Sequence, residues 1–203
     1  WVAVGDTVRE GQMLVEVVAA NAATSNEQEA AKTAAGERAD VARLRERKRH
    51  LEDASRPEAV AKRREKGRRT ARENLADLLD EGSFQEYGGF GVAAQRQRRS
   101  EEDLIANTPA DGLICGTGTV NAGLVDDGRA NVLAMSYDYT VLAGTQGYVN
   151  HKKTDRVLEV ARRNVLPVVL FAEGGGGRPG DTDAPVVAGL DVMSFASFAS
   201  LSG

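Results

Sequence analysis

The stretch from Asn150 to Glu173 constrains the fold most, because a helical repeat runs there directly into a short apolar run. "NHKKTDRVLEVARRN" places Val157, Leu158 and Ala161 at helical spacing, and "VLPVVLFAE" follows as a short buried strand. Upstream, "ADGLICGTGTVN" and "ANVLAMSYDYTVLAG" are two β-rich runs separated by the turn "DDGR". Strand, helix and strand at these lengths make a crossover unit. The expected fold is therefore α/β with a mainly parallel sheet. "VVAGLDVMSFASFASLSG" reads as a closing buried helix rich in small residues.

The apolar run ends in "EGGGGRPGD", Glu173 to Asp181. A phosphate-binding P-loop would need a lysine and a hydroxyl after its glycines, and Arg178, Pro179 and Gly180 stand there instead. Gly175, Gly177 and Gly180 satisfy the spacing of a dinucleotide fingerprint. The acidic residue expected about 20 positions on is missing from "MSFASFAS". A flexible linker fits poorly between two apolar segments so close together. Glycine also lets backbone approach a ligand, and successive N–H groups can hold negative charge developing on a carbonyl oxygen. That chemistry suits enolate formation.

Composition narrows the remaining classes. The 203 residues are 41% hydrophobic and 28% charged, enough for one packed domain or slightly more. No apolar run approaches the roughly 20 residues of a spanning helix and no signal-peptide pattern is present, so no membrane partner is expected, and the lone Cys115 suits a reducing cytoplasm. One cysteine, Cys115, excludes an internal disulfide, and two distant histidines, His50 and His151, argue against a metal site. The net charge of −4 hides a basic block: residues 37–73 hold 14 of the 26 Lys and Arg against 8 acids. Aromatic residues for stacking on bases are absent from the block, which favours a solvated charged helix over a nucleic-acid surface.

The amino-terminal third divides in two. "WVAVGDTVREGQMLVEVVAA", residues 1–20, alternates as short strands do, with turns at Gly5-Asp6 and Gly11-Gln12. Such a piece cannot bury a face alone, and it begins in mid-pattern, so a fragment of a longer protein is expected. Residues 21–56 read as a tether followed by a charged helix, with a thin stripe of Val41, Leu44 and Leu51. Pro57 should break or begin a helix and Gly67 should divide two. Val60, Leu75, Leu78 and Leu79 then supply a docking face.

Residues 1–20 resemble the closing half of a biotinyl/lipoyl domain, a flattened barrel whose biotin-accepting lysine lies in an Ala-Met-Lys-Met turn. That turn is not in this sequence. Lys32, in "EAAKTAAG", reads as a linker lysine, so biotin is expected upstream of this segment. From Arg56 onward the sequence resembles the amino-terminal domain of the biotin-dependent acyl-CoA carboxyltransferases, of the propionyl- and acetyl-CoA carboxylase β-subunit type. The match is carried by "GRRTARENLADLLDEGSFQEYG", "ADGLICGTGTVN", "SYDYTVLAGTQGYVNHKK" and "VLPVVLFAEGGGGRPGD", in the family's order over ~150 residues.

The resemblance implies a crotonase-like fold of ββα units, truncated here to residues 57–203. It implies carboxyl transfer from carboxybiotin to the α-carbon of an acetyl-, propionyl- or long-chain acyl-CoA, with the biotin nitrogen as base. Carried over by position, the catalytic oxyanion pair falls on Gly175 and Gly176, although Gly174 or Gly177 could shift it by one. Substrate-binding positions fall on Ala143, Gly144, Thr145, Lys153, Gly177 and Arg178, and the acidic position on Glu173. Ala143 stands where the family has glycine, and Gly174 and Gly177 stand for Ser and Ala. Arg68, Arg69 and Arg72 are candidates for the coenzyme A phosphates. The implied partners are a carboxybiotin carrier, a biotin carboxylase domain of the same polypeptide, and further copies of the chain, from a dimer to a hexamer. Two competing readings are a biotin-dependent decarboxylase subunit and a non-catalytic module built on the basic helices.

Overall fold

The computed structural model describes residues 37–125, 128–183 and 193–202. The biotinyl-like segment, the tether through Gly36 and Lys32 lie outside the described residues. Residues Leu44–Gly203 form one compact unit, distinct from Trp1–Arg43.

Helix α1 spans Ala39–Arg49 and buries none of its residues. Helix α2 spans Pro57–Glu65, with the proline in its first turn, where a missing N–H costs nothing. Gly67, at φ +65°, turns the chain before helix α3, Ala71–Leu78. A reciprocal cap starts α3. The Glu73 N–H donates to Thr70 Oγ1 at 3.1 Å, and the Thr70 N–H donates to the Glu73 carboxylate at 2.8 Å. Strand β1, Gln85–Glu86, and helix α4, Glu101–Asn107, follow. Strands β2, Leu113–Thr119, and β3, Asn131–Tyr137, precede helix α5, Tyr148–Asn164, and strand β4, Val168–Phe171. A short helix, α6, covers Ser194–Ala199.

The sheet runs in the order β1-β2-β3-β4. The crossover is present: β3 and β4 pair in parallel, with Leu133 opposite Val168 and Ser136 opposite Phe171, and α5 connects them. The expectation of a mainly parallel sheet is corrected. β1–β2 and β2–β3 are antiparallel, with Leu113 opposite Tyr137 and Thr119 opposite Asn131. The connection between β2 and β3 is too short for a crossover helix, so a hairpin is the geometry it can make.

Alternation along β2 and β3 sends side chains to two apolar layers. Leu113, Cys115, Leu133 and Met135 pack with Val157, Leu158 and Ala161 of α5. Ile114, Val132 and Ala134 pack on the other face with Ala71, Leu75 and Leu79 of the α3 region. The sheet thus lies between two helices, as a crossover fold requires. The expected buried closing helix, residues 186–203, lies outside the described residues as far as 192, and its described part is corrected. α6 buries no residue, and Met193 and Phe195 beside and within it are exposed.

Candidate active site

Parallel strands end side by side, so the loops leaving the carboxyl ends of β3 and β4 meet, where open α/β sheets bind ligands. The β3 exit carries residues 138–147, and the β4 exit carries Glu173 and the glycines. Between them the backbones touch. The Gly175 N–H donates to the Ala143 carbonyl at 3.2 Å, the Gln146 N–H to the Gly176 carbonyl at 2.8 Å, and the Arg178 N–H to the Gln146 carbonyl at 2.8 Å. Side chains have no room at this crossing. A Cβ on Gly144 would lie 2.5 Å from the Glu173 carbonyl oxygen, and one on Gly174 would strike the Gly144 carbonyl. Gly144 also sits at φ +67°, a left-handed conformation suited to glycine.

Gly175 has its N–H committed to Ala143. No described residue accepts from the N–H of Gly176 or Gly177, and space is open on both. Gly176 adopts φ +82°. Among the described residues, the uncommitted adjacent donors are therefore Gly176 and Gly177, one position on from Gly175 and Gly176. Thr145 adjoins the run through its methyl group, 3.1 Å from a Cβ at Gly175, and its hydroxyl donates to the Leu142 carbonyl at 2.7 Å.

The glycines are fixed at both ends by ion pairs. Glu173 accepts from Arg63 at 2.8 and 2.7 Å and from Arg68 at 2.9 Å. The Arg63 guanidinium holds the Glu173 carboxyl below the usual glutamate range. At the other end Arg178 is buried and bonded to Asp111 and Asp181, with a 2.8 Å bond to the latter. These carboxylates also hold the start of α5. Asp111 accepts from the Asn150 N–H, and Asp181 from the Tyr148 N–H, each at 2.8 Å. Burial outweighs Arg178 at Asp111 and raises its carboxyl above the usual aspartate range.

The sequence-derived positions fall into two groups. Ala143, Gly144, Thr145, Gly175, Gly176 and Gly177 are brought together. Arg178 sits beneath them, its guanidinium turned into the carboxylate cluster. Lys153 lies apart and half-buried, its ammonium donating to the Ala110 and Leu113 carbonyls at 2.8 and 2.5 Å, and desolvation pushes that ammonium below the usual lysine range. Arg68, Arg69 and Arg72 do not converge. They pair with Glu173, Asp77 and Glu86 respectively.

A cleft of about 840 Å³ opens beside the crossing, with Gly174 and Glu173 at one wall. Lys62, Lys66 and Arg68 line it, together with Tyr139 and Thr140. Lys62 and Lys66 carry no ion pair with any described carboxylate, unlike the neighbouring arginines. Their i,i+4 spacing in "KRREK" was the signal that could have found them, since it puts both on one helix face. Asp111 left no comparable signal, because its partner Arg178 lies 67 residues away.

A mixed sheet crossed by α5, with a glycine cradle at the parallel strand exits, defines a crotonase-like α/β domain. Within that class the chain belongs to the carboxyl transferase domain family, whose profile matches residues 62–195. The propionyl-CoA carboxylase beta chain of Saccharopolyspora erythraea is 38% identical over 147 residues, covering 72% of this chain and 24% of the relative. A solved single-chain, multi-domain long-chain acyl-CoA carboxylase is 61% identical with a TM-score of 0.76, over 82% of this chain and 16% of that one. The transcarboxylase 12S crystal structure with methylmalonyl-coenzyme A and methylmalonic acid bound is 28% identical with a TM-score of 0.59, over 81% and 28%. The chain therefore spans about a quarter of the length of the curated relatives it matches.

Proposed function

We propose that this chain is the amino-terminal part of the carboxyltransferase of a biotin-dependent acyl-CoA carboxylase. The observation that carries the proposal is the pair of uncommitted backbone N–H groups, Gly176 and Gly177, in the open loop at the strand exits. Deprotonating the α-carbon of an acyl thioester sends charge onto the thioester oxygen. Two fixed N–H donors stabilise that charge without reorganising, and losing one such donor typically costs ~2.7–4 kcal/mol. Gly175 then serves as the strut that holds the loop to Ala143. Gly144 and Gly174 keep the crossing thin enough for the thioester to reach the donors.

The neighbouring cleft, bordered by Glu173 and Gly174, suits the rest of the substrate. Lys62 and Lys66 offer cations to the phosphates of coenzyme A, in place of the Arg68, Arg69 and Arg72 set. Carboxybiotin, when bound, supplies the carboxyl group and a basic nitrogen. The chain's own residues hold the thioester and bear the developing charge, and no carboxylate–imidazole base is built into the cleft among the described residues.

Residues 1–20 fit the closing half of a biotinyl domain, residues 21–56 its tether, and 57–203 the transferase domain. The single-chain, multi-domain organisation of the 61% identical carboxylase supports the fusion of these segments in one polypeptide, and a biotin carboxylase domain upstream completes the reading. The hexamer assembly of the transcarboxylase 12S structure supports a homo-oligomer. A cytoplasmic location follows from the substrates proposed.

The test uses the biotinylated full-length parent protein, supplied with ATP, bicarbonate and a series of acyl-CoA thioesters. The expected result is carboxylation of at least one thioester, with Lys62→Ala plus Lys66→Ala raising its KM about tenfold and leaving kcat within about threefold. Unchanged KM for every thioester would remove the phosphate role from these lysines. An absence of carboxylation throughout would remove the transferase reading.

A further inference from the structure

The glycines have no side chains with which to fix their own position, so the residues at the ends of the run must do it. At the amino end Glu173 is the last residue before the run, and its carbonyl packs against Gly144. Its carboxylate lies in the fork of Arg63, with Oε1 2.8 Å from Nη1 and Oε2 2.7 Å from Nη2. Arg63 itself cannot drift. Its Nε and Nη2 donate to the Arg69 carbonyl at 3.1 and 2.5 Å, and its guanidinium lies 5.7 Å from the Tyr139 ring centre. The Arg63 side chain is 9% exposed, although it lines the cleft on the same helix as Lys62, with Lys66 at that helix's carboxyl cap. A single planar group thus joins helix α2, the turn before α3, the β3 exit and the start of the glycine run.

We infer that Arg63 is a positioning residue: through Glu173 it sets where the Gly176 and Gly177 N–H groups point. It does not touch the reacting atoms. Lysine cannot replace it, because an ammonium lacks the planar fork that grips Glu173 and the Arg69 carbonyl together. A misplacement of about 1 Å in such donors is enough to cost on the order of a hundredfold in rate.

This inference rests on the carboxyltransfer reading, and the experiment keeps the two apart. Arg63→Lys, Arg63→Met and Glu173→Gln would be compared with wild type in the full-length biotinylated parent protein. Arg64→Met is the control, since Arg64 is exposed and pairs with Glu73 away from the run. Steady-state kinetics and hydrogen exchange of residues 174–178 would both be measured. The expected result is that Arg63→Lys lowers kcat at least about tenfold with acyl-CoA KM changed less than about threefold. Amide exchange over 174–178 should accelerate while that of β2 and α5 stays at wild-type rates. Combining Arg63→Met with Glu173→Gln should cost no more than the worse single change, because both remove one device.

The inference is overturned if Arg63→Lys keeps kcat within threefold and exchange over 174–178 is unchanged. It is also overturned if the two single losses multiply. A variant that accelerates exchange everywhere, β2 and α5 included, marks a global folding role and likewise overturns it. If wild type itself carboxylates nothing, the transferase reading fails, and the exchange data alone decide whether Arg63 places the loop.

Discussion

Two buried or half-buried carboxylates bracket the glycine run, and their environments push them in opposite directions. Glu173, gripped by Arg63, is held below the usual glutamate range, so its contribution to stability is present above that range and lost as pH falls through the depressed value. Asp111 is raised by burial, so the folded state holds its proton more tightly than the unfolded chain does. Stability from that group is greatest at low pH and declines as pH rises through the raised value. Arg178 keeps the Asp111 cost tolerable at neutral pH. Replacing it by methionine leaves Asp111 and Asp181 facing each other without a cation, and breaking a buried pair this way costs about 3–5 kcal/mol. The Arg178→Met deficit, measured by urea unfolding, should be largest at pH 7 and shrink as pH falls and Asp111 is protonated. A deficit independent of pH would contradict the assignment of Arg178 to this cluster.

Among the elements, the crossover was readable and its surroundings less so. Val157, Leu158 and Ala161 repeat at helical spacing, and they do face the sheet. Pro57 and Gly67 acted as the start and divider their chemistry dictates. The β2–β3 pairing is a contact between strands, and the apolar content of "LICGTGT" and "NVLAMSY" does not encode its direction. Only the short connection between them does. The closing helix misled for a related reason: "SFASFA" carries apolar residues, but burial depends on what packs against them. At the site, "EGGGGRPGD" announced bare backbone, while Ala143 and Gly144 came from family resemblance, and nothing local encodes their backbone crossing with the run. The Arg178–Asp111 pair was hidden, because nothing local links residues 67 apart. Leu158, 1% exposed in the layer between α5 and the sheet, gives the elemental test. Leu158→Ala should cost about 2–5 kcal/mol in chemical denaturation, far more than truncating exposed Val165 just beyond the same helix.

At the scale of the molecule, the basic block that opened a nucleic-acid reading is mostly spent on internal pairing. Arg63, Arg64, Arg68, Arg69 and Arg72 each meet a carboxylate, leaving Lys62 and Lys66 as the cations turned to the cleft. That division leaves the arginines to anchor the loops and the two lysines for the phosphate role proposed above. The carboxyl transferase family supplies the frame, and the proposed chemistry depends on two backbone donors within it. The most direct measurement is therefore carboxyl transfer to acyl-CoA by the full-length parent protein carrying Gly177→Pro, which deletes one of those N–H groups. The account predicts a loss of about 10²–10³ in kcat with the thermal midpoint close to wild type. Transfer at the wild-type rate in that variant would contradict it.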